Sequence, residues 1–141
     1  FLTAEGGVKS GMMIAQYSAA SLVADNKRLA LPAVTDNFLT SGLQEDHLSL
    51  GESAALKLDK ALDNAFHVLA IEYLLAAQAF DFIEYRPFGT GTGHAWQRLR
   101  ERVACYTEEH PLYLDIRACY QLLRDPHTLA ALREQLAPID C

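Results

Sequence analysis

What this sequence lacks narrows its possible functions before any motif is read. Positive charge is in deficit: 12 lysines and arginines face 18 aspartates and glutamates, for a net charge of −6. No basic run breaks that balance, which excludes an electrostatic surface for nucleic acid. Cysteine is scarce, and Cys105, Cys119 and Cys141 are an odd number without CxxC spacing. Neither a disulfide framework nor a cysteine metal site is expected, and a reducing, cytoplasmic setting suits such a chain best. None of the three has the basic neighbours that would activate a thiol. HExxH and paired-histidine spacings are also missing, so no metal site is expected. The longest uncharged stretch, Ser10 to Ala24, is interrupted by Gln16, Tyr17 and serines. It falls short of the roughly 20 apolar residues of a membrane span. The chain begins at Phe1, without the basic start and cleavage site of a signal peptide, and we expect it to be a piece of a longer protein.

What is present is the composition of a folded domain. The chain has 141 residues, half of them hydrophobic, and a mean hydropathy of +0.01, which excludes a disordered chain. Residues 10–30 are rich in alanine, leucine and methionine and predict a helix stopped by Pro32. Met13, Ile14, Tyr17, Ala20 and Leu22 leave that helix no polar face, so it must be surrounded. Gly11, Ala15 and Ala19, and again Ala20 and Ala24, recur every fourth position and would admit a close helical neighbour. Residues 31–50 follow neither helical nor strand periodicity and predict a long connection with its own packing, a type of loop that is often functional. Ser49 and Glu52 have the spacing of a capping box, which would open a second helix running from Leu50 to Phe80.

That second helix is expected to be amphipathic at first, with Lys57, Lys60 and Asp63 exposed beside Leu58 and Leu62, and apolar almost all round from Phe66 to Phe80. His67, Glu72 and Gln78 stand alone in the apolar half, and each needs a partner if buried. Residues 81–94 are turn-forming. Gly89, Gly91 and Gly93 match a phosphate loop poorly, because no strand precedes them and no GKS or GKT follows. Three shorter helices are expected at 95–106, 112–124 and 126–137, the last with Asp125 as N-cap and Pro126 at its first position. Arg98, Arg100, Glu101, Arg102 and Glu108 read as a solvated surface. With no strand and no repeat in view, the fold class is all-α, a long-helix bundle over residues 1–82 followed by a loop and short helices over 83–141, together a single structural unit.

The densest polar cluster is Gln44, Glu45, Asp46 and His47. Two carboxylates beside an imidazole suit proton transfer, and they equally suit a helix N-terminus, where acidic groups complement the macrodipole. Composition by itself favours the second reading. The stretch from Gly7 to Gly51, with SGMMIAQ, DNK and LQEDH in order, resembles the C-terminal core of the histidine ammonia-lyase and aromatic amino acid lyase family. AIEYLLAAQAFDF at 70–82 resembles a later helix of the same family, so the likeness covers about residues 5–82.

The resemblance implies an α-helical homotetramer whose active sites draw on three subunits. It also implies loss of ammonia from an α-amino acid, with the electrophile supplied by a 4-methylidene-imidazol-5-one prosthetic group made from an internal Ala-Ser-Gly. Glu45 matches the glutamate at the substrate and is the implied catalytic and substrate-binding residue, with Gln44 ordering the pocket. Asp46 and His47 match supporting positions around the site, and Leu43 occupies another such position. The chain departs from the family pattern in three places. Leu43 stands where the histidine enzymes have Asn, Met12 replaces a Phe, and Ala-Ser-Gly is absent, so the electrophile must come from upstream. Thr40-Ser41-Gly42 is a poor substitute, because it sits where the family has an ordinary loop. The function implied is therefore the C-terminal part of an enzyme converting L-histidine to trans-urocanate, inactive on its own. A tyrosine or phenylalanine lyase or aminomutase is the nearest alternative. A non-catalytic helical oligomerisation module is the alternative of another class.

Overall fold

The computed structural model describes residues 1–84 and 89–135. Among these are five α-helices: α1 (Met13–Leu29), α2 (Gly51–Asp81), α3 (Thr90–Arg100), α4 (Tyr113–Arg124) and α5 (Pro126–Gln135). No strand occurs among the described residues, only the isolated bridges Gly6–Lys9 and Thr40–Glu45. The chain is all-α, as its composition and periodicity predict.

The 31 residues of α2 make a rod about 45 Å long, against which the other elements pack. α1 lies antiparallel along it. Gly11 and Ala15 are buried, and Ala19 packs at the edge of the core, but at Gly11 the close neighbour is the N-terminal segment and not a helix. The second row faces solvent, since Ala20 and Ala24 are both exposed. Gly11 has φ +55°, and a Cβ there would stand 2.1 Å from the Phe1 carbonyl oxygen. The glycine is thus required both by its left-handed backbone and by the N-terminal segment folded over it.

The core lies between the second half of α2, the end of α3 and α4. Leu74, Leu99, Leu122 and Cys119 are fully enclosed there. Each buried leucine contributes about 2–3 kcal/mol of transfer free energy. Gln78, with no exposed surface, acts as the polar hub. Its Nε2 donates to the Tyr106 carbonyl at 2.9 Å, and its Oε1 accepts from the Tyr106 amide at 2.9 Å. Asn64, 1% exposed, joins the helices at the other end: its Nδ2 donates to Asp25 Oδ2 at 3.0 Å and Asn26 Oδ1 at 2.9 Å. Both isolated amides satisfy the rule that buried polar groups find partners.

Four expectations need correction. The capping box does not form: Leu50, not Ser49, is the N-cap residue, with left-handed φ 51°, and no side chain caps the helix. The register is shifted by one, which puts Ser53 rather than Glu52 at the third helical position. Glu52 still complements the first turn electrostatically. Second, α3 starts at Thr90 and ends at Arg100, about five residues earlier than expected. Gly91 and Gly93 are therefore helical and no phosphate loop exists there, while residues 85–88 of the expected turn lie outside the described residues. Third, Arg100 is not solvated, because its side chain is 12% exposed and pairs with Asp81 at 2.6 Å. Fourth, the apolar half of α2 is not enclosed on every side: Leu69, Glu72, Ala76 and Ala79 are exposed, so Glu72 needs no buried partner. The start of α5 follows the expectation: Asp125 Oδ1 accepts from the His127 amide at 3.0 Å and Oδ2 from the Thr128 hydroxyl at 2.9 Å. The last of the expected residues, 136 and 137, and Cys141 lie outside the described residues.

Candidate active site

The loop joining α1 to α2 carries every residue of the acidic cluster. Its shape is built from the backbone outward. α1 ends at Leu29, and Pro32 prevents its continuation. Lys57 of α2 donates to the Leu31 carbonyl and holds the outgoing chain against the helix. At residue 37 the loop closes on itself. Asn37 Oδ1 accepts from the Leu48 amide at 3.0 Å and the Phe38 amide at 2.9 Å, and Asn37 Nδ2 donates to the Leu48 carbonyl at 2.6 Å. A carboxamide presents a donor and an acceptor side by side, and here they replace the neighbouring strand that Leu48 would otherwise need.

Inside this neck a second rung forms between Thr40 and Glu45. The Thr40 amide donates to the Glu45 carbonyl at 3.0 Å, and the Glu45 amide donates back at 3.3 Å. The turn at its tip is left-handed throughout, with φ 51° at Ser41, 63° at Gly42 and 70° at Leu43. Only the glycine takes that backbone without penalty. For Ser41 and Leu43 it costs about 1 kcal/mol each.

Gln44, Glu45, Asp46 and His47 are all exposed. The Glu45 carboxylate makes no ion pair or hydrogen bond within the described residues. Leu43, 75% exposed, stands beside it. The loop therefore presents a carboxylate, a carboxamide and an imidazole outward on a short, doubly pinned tip. The cluster does not cap α2, because three residues, Leu48 to Leu50, separate His47 from the first helical turn. The capping reading that composition favoured is thereby set aside. Ser41 occupies the strained tip of the same turn and opens the Thr40–Glu45 rung, which gives it a backbone part in the loop. Among the described residues no group of acidic, histidine and cysteine side chains is arranged to hold a metal ion.

Other titratable groups are engaged in holding helices together. Tyr120 of α4 donates to Asp63 Oδ1 at 2.6 Å and stacks on His67 with ring centroids 4.1 Å apart. The Tyr120 hydroxyl holds the Asp63 carboxyl below the usual carboxylate range. Burial pushes the Cys119 thiol up to about 12 and raises that of exposed Cys105 as well. Neither is a ready nucleophile.

Asn37 escaped the sequence reading. An asparagine among Asp, Ser and Gly residues is the ordinary signature of a loop, and nothing in the local pattern marks it as the closing residue.

Large apolar side chains stay in the open: Phe38 and Leu39 in the loop, Leu56 and Leu58 on the first half of α2, and Ile14 and Tyr17 at the far end of α1, beside His67 and Ile71. An apolar groove of about 500 Å³ runs between α1 and α2, past Ala19, Ile71 and Leu75. No described helix is long and apolar enough to cross a membrane.

Comparison with known proteins agrees with this architecture. Residues 1–101 match the family described as aromatic amino acid lyase. A histidine ammonia-lyase of Caldanaerobacter subterraneus subsp. tengcongensis is 46% identical over 135 residues, which is 96% of this chain and 27% of that protein. One from Treponema denticola is 44% identical over 92% of this chain and 25% of its own length. The chain thus spans about a quarter of the curated relatives it matches. Among solved structures, histidine ammonia-lyase from Trypanosoma cruzi superposes with a TM-score of 0.89 at 32% identity, over 97% of this chain and 27% of that one. Tyrosine aminomutase from Streptomyces globisporus gives 0.87 at 29% identity, over 96% and 26%.

Proposed function

This chain belongs to the aromatic amino acid lyase family, and we propose that it is the C-terminal part of an ammonia-lyase that converts L-histidine to trans-urocanate and ammonia. The observation that carries the proposal is the pinned loop presenting Glu45, in a chain 46% identical to a histidine ammonia-lyase across nearly its whole length. Among solved structures the likeness is 32% to a histidine ammonia-lyase and 29% to a tyrosine aminomutase, so the support for histidine comes from the curated histidine ammonia-lyases at 46% and 44%.

The reaction has two difficulties, a weakly acidic β-proton and a poor leaving amine, so an electrophile and a base must be held together around one substrate. Glu45 would supply a negative charge at the substrate, contacting its amine or its side chain. Gln44 would order the pocket through its amide, while Asp46, His47 and Leu43 shape the loop around them. A 4-methylidene-imidazol-5-one group would supply the electrophile. This chain contains no Ala-Ser-Gly from which to make one, and Ser41 sits in an exposed left-handed turn that the Thr40–Glu45 rung depends on. The group would therefore come from the upstream part of the protein. The chain's own residues bind and orient.

The exposed apolar side chains on α1, the loop and α2 support assembly with the upstream part and with further copies into a homotetramer. Leucine, phenylalanine and tyrosine in such number are costly to leave in water. The acidic composition and the lack of a membrane-crossing helix among the described residues suit a cytoplasmic enzyme.

The test is to express this chain with the upstream portion of a histidine ammonia-lyase and follow urocanate by absorbance. Product is expected from the assembled protein, none from this chain by itself, and none above background from the Glu45→Ala assembly. Full activity in Glu45→Ala would refute the assignment of the site, and product from tyrosine instead of histidine would transfer the assignment to a tyrosine lyase, or to an aminomutase if the product is the β-amino acid.

A further inference from the structure

We propose that Asn37 is a positioning residue for Glu45, acting by locking the neck of the loop that carries it. The proposal rests on the reading of Glu45 as the substrate-facing carboxylate. Between Asn37 and Leu48 the chain makes a closed excursion that reaches its tip at Ser41 to Leu43 and returns through Gln44 and Glu45. Nothing in its sequence stiffens it: no proline lies between 37 and 48, and the side chains at 38, 39 and 41–47 are all exposed, so none is anchored by burial. The excursion is held by two rungs. The outer one is the Asn37 side chain, half-buried, with both polar groups of Leu48 bonded to its amide at 3.0 and 2.6 Å. The inner one is the backbone pair Thr40–Glu45.

The inner rung is marginal by itself. The tip has four exposed backbone bonds, the Thr40–Glu45 pair with the Leu43 amide to Thr40 and the Gln44 amide to Ser41, each contributing about 1 kcal/mol, and the left-handed Ser41 and Leu43 take back about 1 kcal/mol each. What is left, about 2 kcal/mol, is comparable to the cost of ordering one or two residues of an exposed loop, so without the outer rung the turn would loosen. Glu45 would lose its direction, since its own amide and carbonyl are the groups in the inner rung. Asn37 thus sets the direction of Glu45 from eight positions away. The neck opens three residues before α2 begins, so the amide also transmits the rigidity of the long helix to the tip.

The experiment uses the assembled protein, this chain with its upstream part, carrying Asn37→Ala, Glu45→Gln or both. Asn37→Ala is expected to lower kcat/KM for L-histidine by about 100-fold, the cost of misplacing a reacting group by about an ångström, with unchanged melting temperature. The double variant is expected to be no slower than Glu45→Gln, because the first residue acts through the second. Losses that multiply, or an unchanged kcat/KM in Asn37→Ala, overturn the proposal. Asn37→Asp sets a carboxylate oxygen against the Leu48 carbonyl, so a loss at least as large as in Asn37→Ala is expected, whereas Asn37→Ser keeps a hydroxyl that can donate or accept and should give an intermediate loss; this variant decides the matter if Asn37→Ala fails to assemble. Backbone hydrogen exchange is the second readout: the Leu48, Thr40 and Glu45 amides should exchange at least about tenfold faster in Asn37→Ala, while those around Leu74 do not change. Unchanged exchange at Glu45 overturns the proposal whatever the substrate. If the unsubstituted assembly releases no ammonia from histidine, tyrosine or phenylalanine, the lyase reading fails, and the exchange result by itself decides the role of Asn37.

Discussion

The two halves of α2 occupy different surroundings. From Asn64 onward it buries Asn64, Ala70, Ile71, Leu74, Ala77 and Gln78, whereas from Gly51 to Asp63 it buries nothing. In the first half Leu56 is 65%, Leu58 60% and Leu62 50% exposed. The later half carries the core: α4 and the end of α3 cover much of its apolar surface, and Gln78 with Asp81 and Arg100 uses its polar groups, although Leu69 and the groove past Ile71 and Leu75 stay open. The earlier half is flanked by the end of α1 and the start of the loop, yet buries no residue and keeps Leu56, Leu58 and Leu62 in the open. One helix therefore holds the core at one end and only borders it at the other, less finished, end. The catalytic candidates sit on the unfinished side, where a site built with other polypeptides would have to be.

The sharpest way to break this contrast is one substitution made in each half. Leu74→Ala should cost about 3 kcal/mol in chemical denaturation of this chain, through lost burial and a cavity that neighbours cannot fill. Leu58→Ala should stay within about 0.5 kcal/mol, and should become clearly destabilising only in the assembled protein, if the open face is covered there. Equal losses in the isolated chain would mean that the two halves do not differ.

A smaller effect of opposite sign is expected at the loop tip. Leu43→Gly removes a side chain from a left-handed backbone and should stabilise the isolated chain by about 1 kcal/mol, read as a higher denaturation midpoint. A loss would show that the Leu43 side chain is held by contacts within the chain and that the open side is better packed than its exposure indicates.

The smallest effect concerns the rim of the closed half. Asp115, 2.7 Å from His110 Nε2, raises the imidazole above its ordinary 6.5, with the Glu108 carbonyl helping. A raised folded value means that protonation favours the folded chain. The contribution is present in full below about pH 6.5, the ordinary histidine value, and fades as pH climbs through the folded value. An NMR titration of His110 should give a midpoint above 6.5 that falls back in Asp115→Asn, while the thermal midpoint changes little, because the contact is exposed.

Much of this was legible in the linear chain. The lengths of α1 and α2, the apolar second half of α2 and the Asp125 cap follow from periodicity and capping chemistry, both local. The motif strings around Gln44 to His47 also singled out the candidate loop, since residue order within one loop survives any fold. The capping box was misread because a left-handed Leu50 moved the helix start by one residue, and a single dihedral of that kind is decided by how the loop closes. Arg100 was misread because its neighbours in sequence are charged and solvated, while its neighbours in space, Asp81 and Gln78, are about twenty residues away.

The sequence by itself determined the helical class, the long rod, and which short string carries the carboxylate, because each depends on interactions among residues a turn or two apart. Tertiary structure decided that α1, apolar on every side, would keep Ile14, Tyr17 and Val23 in the open, and that one asparagine amide would close the candidate loop. Both depend on what the chain brings back to a given point from a distance. Burial is a property of neighbours in space, and a residue's own pattern states only that it can be buried.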